Sequence, residues 1–250
     1  MDILLVCPIG FLAGFVDSIA GGGGLIQVPG LLFLFPNMPI VTLFGTNKIA
    51  GASGTVISSF HYIRAFKIDF KTILPTLIIS FIFAMVGAKV VSVINNDVLK
   101  PIVLVLLILM GIYTIINKNF GLHSNKRFSG WRLQTCCLLI GAALGFYDGF
   151  FGPGMGSLLV FAFVSILGFS FLEGSAFAKL INLASNLAAL LFFILSHHVV
   201  YKVGVPLAIC NVLGNSVGSR LAIRKGSGFV RWVFLLIIAA MVVKFVQQMM

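Results

Sequence analysis

Charge is the scarcest property of this sequence. Aspartate and glutamate total 6 and lysine and arginine 17 in 250 residues, so only 9% of the chain is charged, whereas a soluble domain carries about a quarter charged residues. At the same time 60% of the residues are hydrophobic and the mean hydropathy is +1.13. This composition excludes an ordinary soluble domain and predicts a chain that lies in a lipid bilayer.

Long polar stretches are also missing. A membrane-spanning helix needs roughly 20 mostly apolar residues, and the stretches that qualify are about 44–62, 72–94, 101–117, 133–151, 176–195, 203–222 and 230–248. We therefore predict an all-α, polytopic integral membrane protein without a separate soluble domain. No lysine or arginine precedes Lys48, so the first apolar stretch lacks the basic segment of a secretory signal and is expected to stay in the mature protein.

Cysteines and basic residues show no pattern that indicates a metal, a cofactor or nucleic acid. Cys7, Cys136, Cys137 and Cys210 lie in apolar runs without metal-ligand spacing, which is typical of small buried hydrophobic residues. The formal net charge of +11 is carried by short loops rather than by a basic stripe with interleaved aromatics, and this indicates membrane orientation. An ATP-binding motif is absent too, which argues against primary pumping by this chain alone.

The chain contains an internal repeat. Residues 14–30 read "GFVDSIAGGGGLIQVPG", residues 145–161 read "GFYDGFFGPGMGSLLVF", and one ungapped shift, which places Asp17 on Asp148, aligns them. We call it the repeat shift. It also pairs other scarce charges: Lys48 with Lys179, Lys71 with Lys202, Lys89 with Arg220, and Lys100 with Arg231. We therefore expect two transmembrane repeats, 1–119 and 132–250, joined by a polar cytoplasmic connector at 120–131.

The positive-inside rule bears on the orientation of the repeats. If the first glycine-rich segment of each half crosses the membrane once, nine of the lysines and arginines in loops lie on one side of the membrane and six on the other. If it turns the chain back, the division is eleven to four: Arg64, Lys67, Lys71, Lys118, Lys126, Arg127, Arg132, Arg220, Arg224, Lys225 and Arg231 against Lys89, Lys100, Lys202 and Lys244. The second division favours two inverted repeats, each opening with a glycine-broken or re-entrant hairpin, with about eight transmembrane helices and both termini outside the cytoplasm.

Broken helices at membrane depth indicate a transport path. Non-helical backbone is tolerated there only where protein buries it or where it lines a watery cavity, and inverted repeats with broken helices are typical of secondary transporters. The glycines allow close backbone approach and expose amides to an anion, although small residues also serve tight helix packing. The candidate substrate-binding glycines are Gly21, Gly22, Gly23, Gly24, Gly152, Gly154 and Gly156.

Polar side chains on two apolar helices complete the candidate site. Lys48 and Lys179 occupy equivalent places in the two halves, and an ionisable residue inside a membrane indicates function by default, although each lysine alternatively snorkels to the interface. Asn47, Ser53, Asn182 and Asn186 add hydrogen-bonding groups on the same helices. Asp17 and Asp148 are the natural counter-charges, either as structural ion pairs or as proton carriers.

An enzyme is the less favoured alternative. "GASG" at 51–54 matches the G-x-S-G of intramembrane serine proteases, but a serine nucleophile needs a base within hydrogen-bond reach. His61 lies eight residues beyond Ser53, about 12 Å along a helix. We therefore predict no enzymatic activity, and a passive anion channel is the other alternative to a coupled transporter.

Five stretches together resemble one family. "GFVDSIAGGGGL", "TNK" at 46–48, "GFYDGFFGPGMGS", "AKLINLASN" at 178–186 and "VGSRLA" at 217–222 are similar to the TauE/SafE family of bacterial membrane transporters. The resemblance implies a multi-pass permease of the bacterial inner membrane that moves a small anion such as sulfite or an organosulfonate. The expected partners are this anionic solute and the lipid bilayer, with homo-oligomerisation open and nucleic acid not expected.

The charge division makes a testable prediction about topology. Both termini are expected outside the cytoplasm, while the 118–132 connector and the 223–231 loop are expected inside, because the cations concentrate there. Reporter fusions after Met250 and within the connector measure this, with a periplasm-specific reporter expected to be active only at the terminus. A cytoplasmic C-terminus contradicts the hairpin at the start of each half.

Overall fold

Every regular element that the structure describes is helical. The computed structural model describes residues 3–66, 68, 70–94 and 127–249. Its elements are α1 (Ile3–Ala20), α2 (Gly24–Leu34), α3 (Ile40–Ala65), α4 (Phe70–Ser92), α5 (Gly130–Phe150), α6 (Met155–Phe161), a π-helical turn (Ala162–Ile166), α7 (Phe171–Leu195) and α8 (Tyr201–Met249). The predicted all-α class is confirmed, while the predicted span 101–117 and most of the connector lie outside the described residues.

The long helices account for the predicted spans within the described ranges. Ile73–Ser92, Gly130–Phe150 and Phe171–Leu195 are long and apolar enough to cross a bilayer. Helix α3 is also long, but it carries buried polar residues that lower its hydropathy. Helix α8 is interrupted at Gly226, where φ is 79°, and this break falls in the predicted 223–231 loop. The chain is therefore built as a polytopic membrane protein.

Each half opens with a hairpin whose second arm is short. Helix α1 ends at a turn in which Gly21 has φ 77°, a left-handed conformation that glycine adopts at little cost, and α2 then runs for only 11 residues. At 1.5 Å per residue α2 is about 16 Å long, whereas the hydrocarbon core is about 30 Å thick. Helix α6 has 7 residues before its π-helical turn. Both second arms are therefore too short to cross, which makes them re-entrant.

Exposed apolar side chains form matching rows on α4 and α8. Each row recurs every four residues, as one stripe of a helix does, and each member is about half exposed: Leu74, Ile78, Ile82 and Val86 on α4, and Val205, Ile209, Leu213 and Val217 on α8. The repeat shift that aligns the charges also aligns these rows. Apolar rows of this length on the outside of a helical membrane protein are the faces that lipid covers.

Packing between the halves is reciprocal. Helix α1 packs against α8, and α5 packs against α4. Both contacts are close because a glycine faces a backbone oxygen: Gly14 faces that of Asn211, and Gly145 faces that of Ser80. Since the repeat shift relates Gly14 to Gly145 and Ser80 to Asn211, the first long helix of each half packs on the fourth helix of the other half in the same way.

Helices α3 and α7 cross at the centre and run antiparallel. Near the start of α3, Gly45 approaches Phe193, and further along Lys48 donates to Asn186 Oδ1 over 3.0 Å. Near the end of α3, Ser59 Oγ donates to the backbone oxygen of Lys179 over 3.2 Å. Residue numbers on α7 fall as those on α3 rise, so two helices that the repeat makes equivalent point in opposite directions.

The glycine contacts between helices lead to a stability prediction. A Cβ at Gly145 lies 2.6 Å from the Ser80 backbone oxygen, so Gly145→Ala forces α4 and α5 apart and is expected to cost about 1–3 kcal/mol, the usual cost of overpacking. The measurement is thermal unfolding of the purified protein in detergent. Gly228→Ala is the matched control, because a Cβ there meets nothing within 4 Å, and equal stability of the two variants contradicts the prediction.

Candidate functional site

A small polar cavity lies where the two glycine turns meet α3, α7 and α8; we call it the central cavity. Its volume is about 40 Å³, and its lining is Asp17, Gly21, Gly23, Gly24, Gln27, Asn47, Lys48, Gly51, Thr55, Asp148, Gly152, Gly154, Gly156, Asn182, Asn186 and Asn211. Since one water needs roughly 10–15 Å³ of such volume, this space accommodates about three waters or one small polyatomic ion. Both halves of the chain contribute to it.

Two buried ion pairs join the halves beside this cavity. Lys48 Nζ lies 2.8 Å from Asp148 Oδ1, and these side chains are 4% and 2% exposed. Lys179 Nζ lies 2.8 Å from Asp17 Oδ2, and these side chains are 1% and 15% exposed. Lys179 also donates to the backbone oxygen of Asp17. Neither ammonium group reaches the outside of the helix bundle, so the snorkelling alternative does not describe these lysines.

Local structure places each aspartate at the end of a helix. Asp17 lies in the last turn of α1 and Asp148 in the last turn of α5, immediately before the glycines that turn the chain. The Gly23 amide donates to Asp17 Oδ1 over 3.4 Å. The two pairs are exchanged by the repeat, because the shift relates Asp17 to Asp148 and Lys48 to Lys179. Each pair therefore links the first helix of one half to the third helix of the other.

The two glycine segments contact each other. The Ser157 amide donates to the Gly21 backbone oxygen over 3.0 Å, and Ser157 Oγ donates to the Ala20 backbone oxygen over 2.9 Å. A Cβ at Gly156 lies 2.6 Å from Gly21 Cα. Any side chain at Gly21 or Gly156 therefore separates the two turns, which explains why these two positions carry glycine.

Most of the predicted site residues are brought together, with three exceptions. Gly22, Ser53 and Lys179 do not line the central cavity, although Lys179 is held against Asp17, which does. Within the cavity lining, Asn186 Nδ2 donates to Asn182 Oδ1 over 2.9 Å. The binding role of these residues stays a prediction.

Four lining residues escape the sequence analysis: Gln27, Gly51, Thr55 and Asn211. Gly51 and Thr55 are the repeat equivalents of Asn182 and Asn186, so the repeat shift was a usable signal for them. Asn211 Nδ2 donates to Gln27 Oε1 over 2.9 Å. No such signal exists for Gln27, because its repeat equivalent is Leu158.

The "GASG" segment has a packing role. A Cβ at Gly54 lies 3.0 Å from Asn215 Cγ and overlaps the amide of Asn211, so the glycine lets α8 approach α3. His61 Nδ1 lies 2.7 Å from Ser219 Oγ rather than beside Ser53. The contact on which the protease alternative depends is therefore not formed by Ser53 and His61.

Two side-chain oxygen atoms of cavity-lining residues are unused hydrogen-bond acceptors. Asp148 Oδ2 and Asn47 Oδ1 are buried and make no hydrogen bond with any described residue, and an unpaired buried polar atom is costly. The Lys48 ammonium, in contrast, is occupied by Asp148 and Asn186. An anion that enters therefore competes with a carboxylate for the lysine, whereas a proton finds a free acceptor.

Comparison with known proteins decides the family. The sequence model for "Sulfite exporter TauE/SafE" matches residues 6–245. The chain belongs to the TauE/SafE family. This is a family of membrane transporters, and the TauE/SafE resemblance found in the motifs is thereby confirmed over nearly the whole chain.

Similar proteins are described as membrane transporters. The probable membrane transporter protein YfcA of Escherichia coli K12 is 34% identical over 238 residues, which cover 94% of this chain and 86% of that protein. A probable membrane transporter protein of Haemophilus influenzae is 35% identical over 228 residues, covering 91% and 88%. Probable membrane transporter protein ORF9 of Sinorhizobium is 34% identical over 235 residues, covering 94% and 88%. No solved structure matches this chain.

The ion pairs predict the stability of charge variants. Lys48→Gln leaves Asp148 as an uncompensated buried charge, and removal of one partner of such a pair costs about 3–5 kcal/mol. The double variant Lys48→Gln/Asp148→Asn carries neither charge and is expected to recover most of this loss. Thermal unfolding in detergent measures both, and a double variant no more stable than the single variant contradicts a direct interaction.

Proposed function

We propose that this protein is a secondary transporter that carries a small oxyanion, sulfite or an organosulfonate, across the bacterial inner membrane by alternating access at the central cavity. One observation carries the proposal: the Lys48–Asp148 and Lys179–Asp17 pairs, each formed between the halves, border a single cavity. Two ionisable pairs at the junction of two repeats are more than a membrane protein needs for packing, because each charge inside a bilayer is costly.

The alternating-access part of the proposal needs two inverted halves. We infer inverted repeats over 1–119 and 132–250 from the antiparallel crossing of α3 and α7 and from the reciprocal packing of α1 with α8 and α5 with α4. Inverted repeats place a shared site near the bilayer midplane, where rocking of one repeat against the other opens it to either side. The re-entrant arms α2 and α6 begin at that site, next to Gly24 and Gly154.

The specificity for an oxyanion follows from the donors in the cavity. Lys48, Asn182 and Asn186 line the cavity, and the Lys48 ammonium becomes available to an oxyanion when Asp148 no longer occupies it. The volume of about 40 Å³ suits sulfite, with four heavy atoms, better than a larger organosulfonate in this closed arrangement. A larger substrate requires the turns to separate further.

Charge balance suggests that a proton accompanies the anion. With both aspartates ionised, the two lysine–aspartate pairs have no net charge. Protonation of Asp148 releases Lys48 from its carboxylate and leaves the cavity with one net positive charge, and Asp148 Oδ2 is an acceptor that no described residue occupies. Proton and anion then bind together and cross together, which makes Asp148 the coupling residue and Lys48 the anion-binding residue.

Variants of one ion pair separate this mechanism from a structural role. Asp148→Asn imitates the protonated carboxylate and is expected to bind sulfite as tightly as the parent or more tightly, but to move it without protons. Lys48→Gln is expected to weaken sulfite binding at least about tenfold, because a charge-assisted hydrogen bond contributes about 1.5–3 kcal/mol. Sulfite binding to purified protein and proton movement into proteoliposomes, followed with a pH-sensitive dye, are the two measurements.

This test has one control variant and two outcomes that contradict the proposed mechanism. Lys202→Gln removes an exposed lysine and should behave as the parent. A purely structural pair predicts that Asp148→Asn and Lys48→Gln change sulfite affinity in the same direction. Sulfite flux in the parent without any proton movement, at a rate linear in concentration, supports the passive channel instead.

A further inference from the structure

A second cavity lies at the C-terminal end of α3, against α8 just before its break; we call it the basic cavity. Its volume is about 450 Å³, and its lining is His61, Arg64, Ala65, Arg220, Ile223 and Arg224. Three guanidinium groups and an imidazole therefore share one cavity, and no carboxylate among the described residues lines it. Because like charges repel, convergence of three arginines from two helices is not something that packing alone favours.

His61 and Arg64, two of the residues around this cavity, make contacts with neighbouring side chains. His61 Nδ1 lies 2.7 Å from Ser219 Oγ, and Ser219 Oγ donates to the Asn215 backbone oxygen over 2.6 Å. The Arg64 guanidinium lies 4.1 Å from the centre of the Phe60 ring. Planar guanidinium groups carry the N–H donors that recognise oxygen atoms of phosphate, sulfate or sulfonate groups, and three of them belong to residues that line this cavity.

The other half of the chain provides an internal comparison. The repeat shift relates the four polar lining residues to Phe192, Leu195, Lys89 and Val93. The repeated fold therefore forms with a single cation at the equivalent place, so the arginine cluster is not a requirement of the fold. Membrane orientation requires cations on one side, but it does not require them to converge on one cavity.

A row of polar side chains connects the basic cavity to the central cavity. Ser219, Asn215 and Asn211 follow one another at intervals of four along α8, and Asn215 Nδ2 donates to Asn211 Oδ1 over 2.8 Å. Asn211 lines the central cavity. Their repeat equivalents are Ala88, Ala84 and Ser80, so only the second half carries three polar residues in this row.

We propose that the basic cavity is a second oxyanion-binding site, in which Arg64, Arg220 and Arg224 hold a phosphate, sulfate or sulfonate group. The group belongs either to a solute in water or to the head group of an anionic lipid, since both present the same oxygen atoms. This inference is independent of transport at the central cavity, because binding here is measured without flux.

A charged thiol reagent measures the site directly. Ile223→Cys places a thiol in the basic cavity, in a background where Cys7, Cys136, Cys137 and Cys210 are replaced by alanine. The negatively charged sulfonatoethyl methanethiosulfonate is expected to react at least about tenfold faster than the positively charged trimethylammonioethyl reagent, because a charged cleft raises the local concentration of its counter-ion by this order. Arg64→Gln/Arg220→Gln/Arg224→Gln is expected to bring the ratio close to one.

Two arms of the same experiment identify the source of the oxyanion. The first arm adds millimolar sodium sulfate to protein in phosphatidylcholine nanodiscs. If sulfate slows the reaction with the sulfonate reagent at least about threefold, the site binds a soluble oxyanion. The second arm adds phosphatidylglycerol to the nanodiscs. If phosphatidylglycerol slows the reaction and sulfate does not, the site binds a lipid head group. Lys89→Gln is the matched control, because it removes the cation at the repeat equivalent of Arg220 and should change neither result.

A measurement on the protein with its native cysteines keeps the proposal testable if the alanine background does not fold. Sulfate or phosphatidylglycerol is expected to raise the Tm of the parent and of Lys48→Gln/Asp148→Asn, in which the central pair is neutral, but not that of the triple arginine variant. The proposal is overturned if the two thiol reagents react at nearly equal rates with the protein that keeps its three arginines. It is also overturned if neither sulfate nor phosphatidylglycerol has an effect in the thiol assay or in the Tm assay. Failure of the central-cavity experiments leaves these results unaffected.

Discussion

The lysine–aspartate pairs between the halves are the interaction on which the rest of this structure depends. A single charge buried in a bilayer-embedded protein is costly, and among the described residues the ion-pair partner of each of these four charges lies in the other half: Lys48 pairs with Asp148 and Lys179 with Asp17. Neither half by itself supplies these partners. The pairs therefore make association of the halves a condition for burying the lysines, and they place α3, α7 and the two glycine turns around one cavity.

Glycine makes this arrangement sterically possible. Gly21 and Gly156 bring the two turns into backbone contact, and Gly54 admits the amides of Asn211 and Asn215 next to α3. Without side chains at these positions, backbone groups that would otherwise be covered face a polar cavity of about 40 Å³. Glycine here contributes space as well as conformational freedom, and the space is what allows polar side chains to converge in an apolar protein.

Near-symmetry at the centre contrasts with asymmetry away from it. The ion pairs, the helix contacts at Gly14 and Gly145 and the lipid-facing rows all follow the repeat shift. From the central cavity toward His61 the repeat no longer holds, because Asn215 and Ser219 in one half correspond to Ala84 and Ala88 in the other. In the alternating-access mechanism that we propose, equivalent halves allow two openings, while different approaches distinguish the two sides of the membrane.

The amino-acid sequence by itself determined the all-α membrane class, the positions of the glycine turns, the TauE/SafE family and the lysines and aspartates of the candidate site. Each of these is readable because charge and broken helices stand out in an apolar chain. Only the tertiary structure decided that each lysine pairs with the aspartate of the other half, that α2 stops short of a full crossing, and that Gln27 and Asn211 join the cavity. A repeat identifies equivalent residues but not the residues that they contact. Those contacts depend on how the helices are rotated and which helices pair. Hydrophobicity gives little information about either inside a membrane, because both the lipid-facing and the buried sides of a helix are apolar.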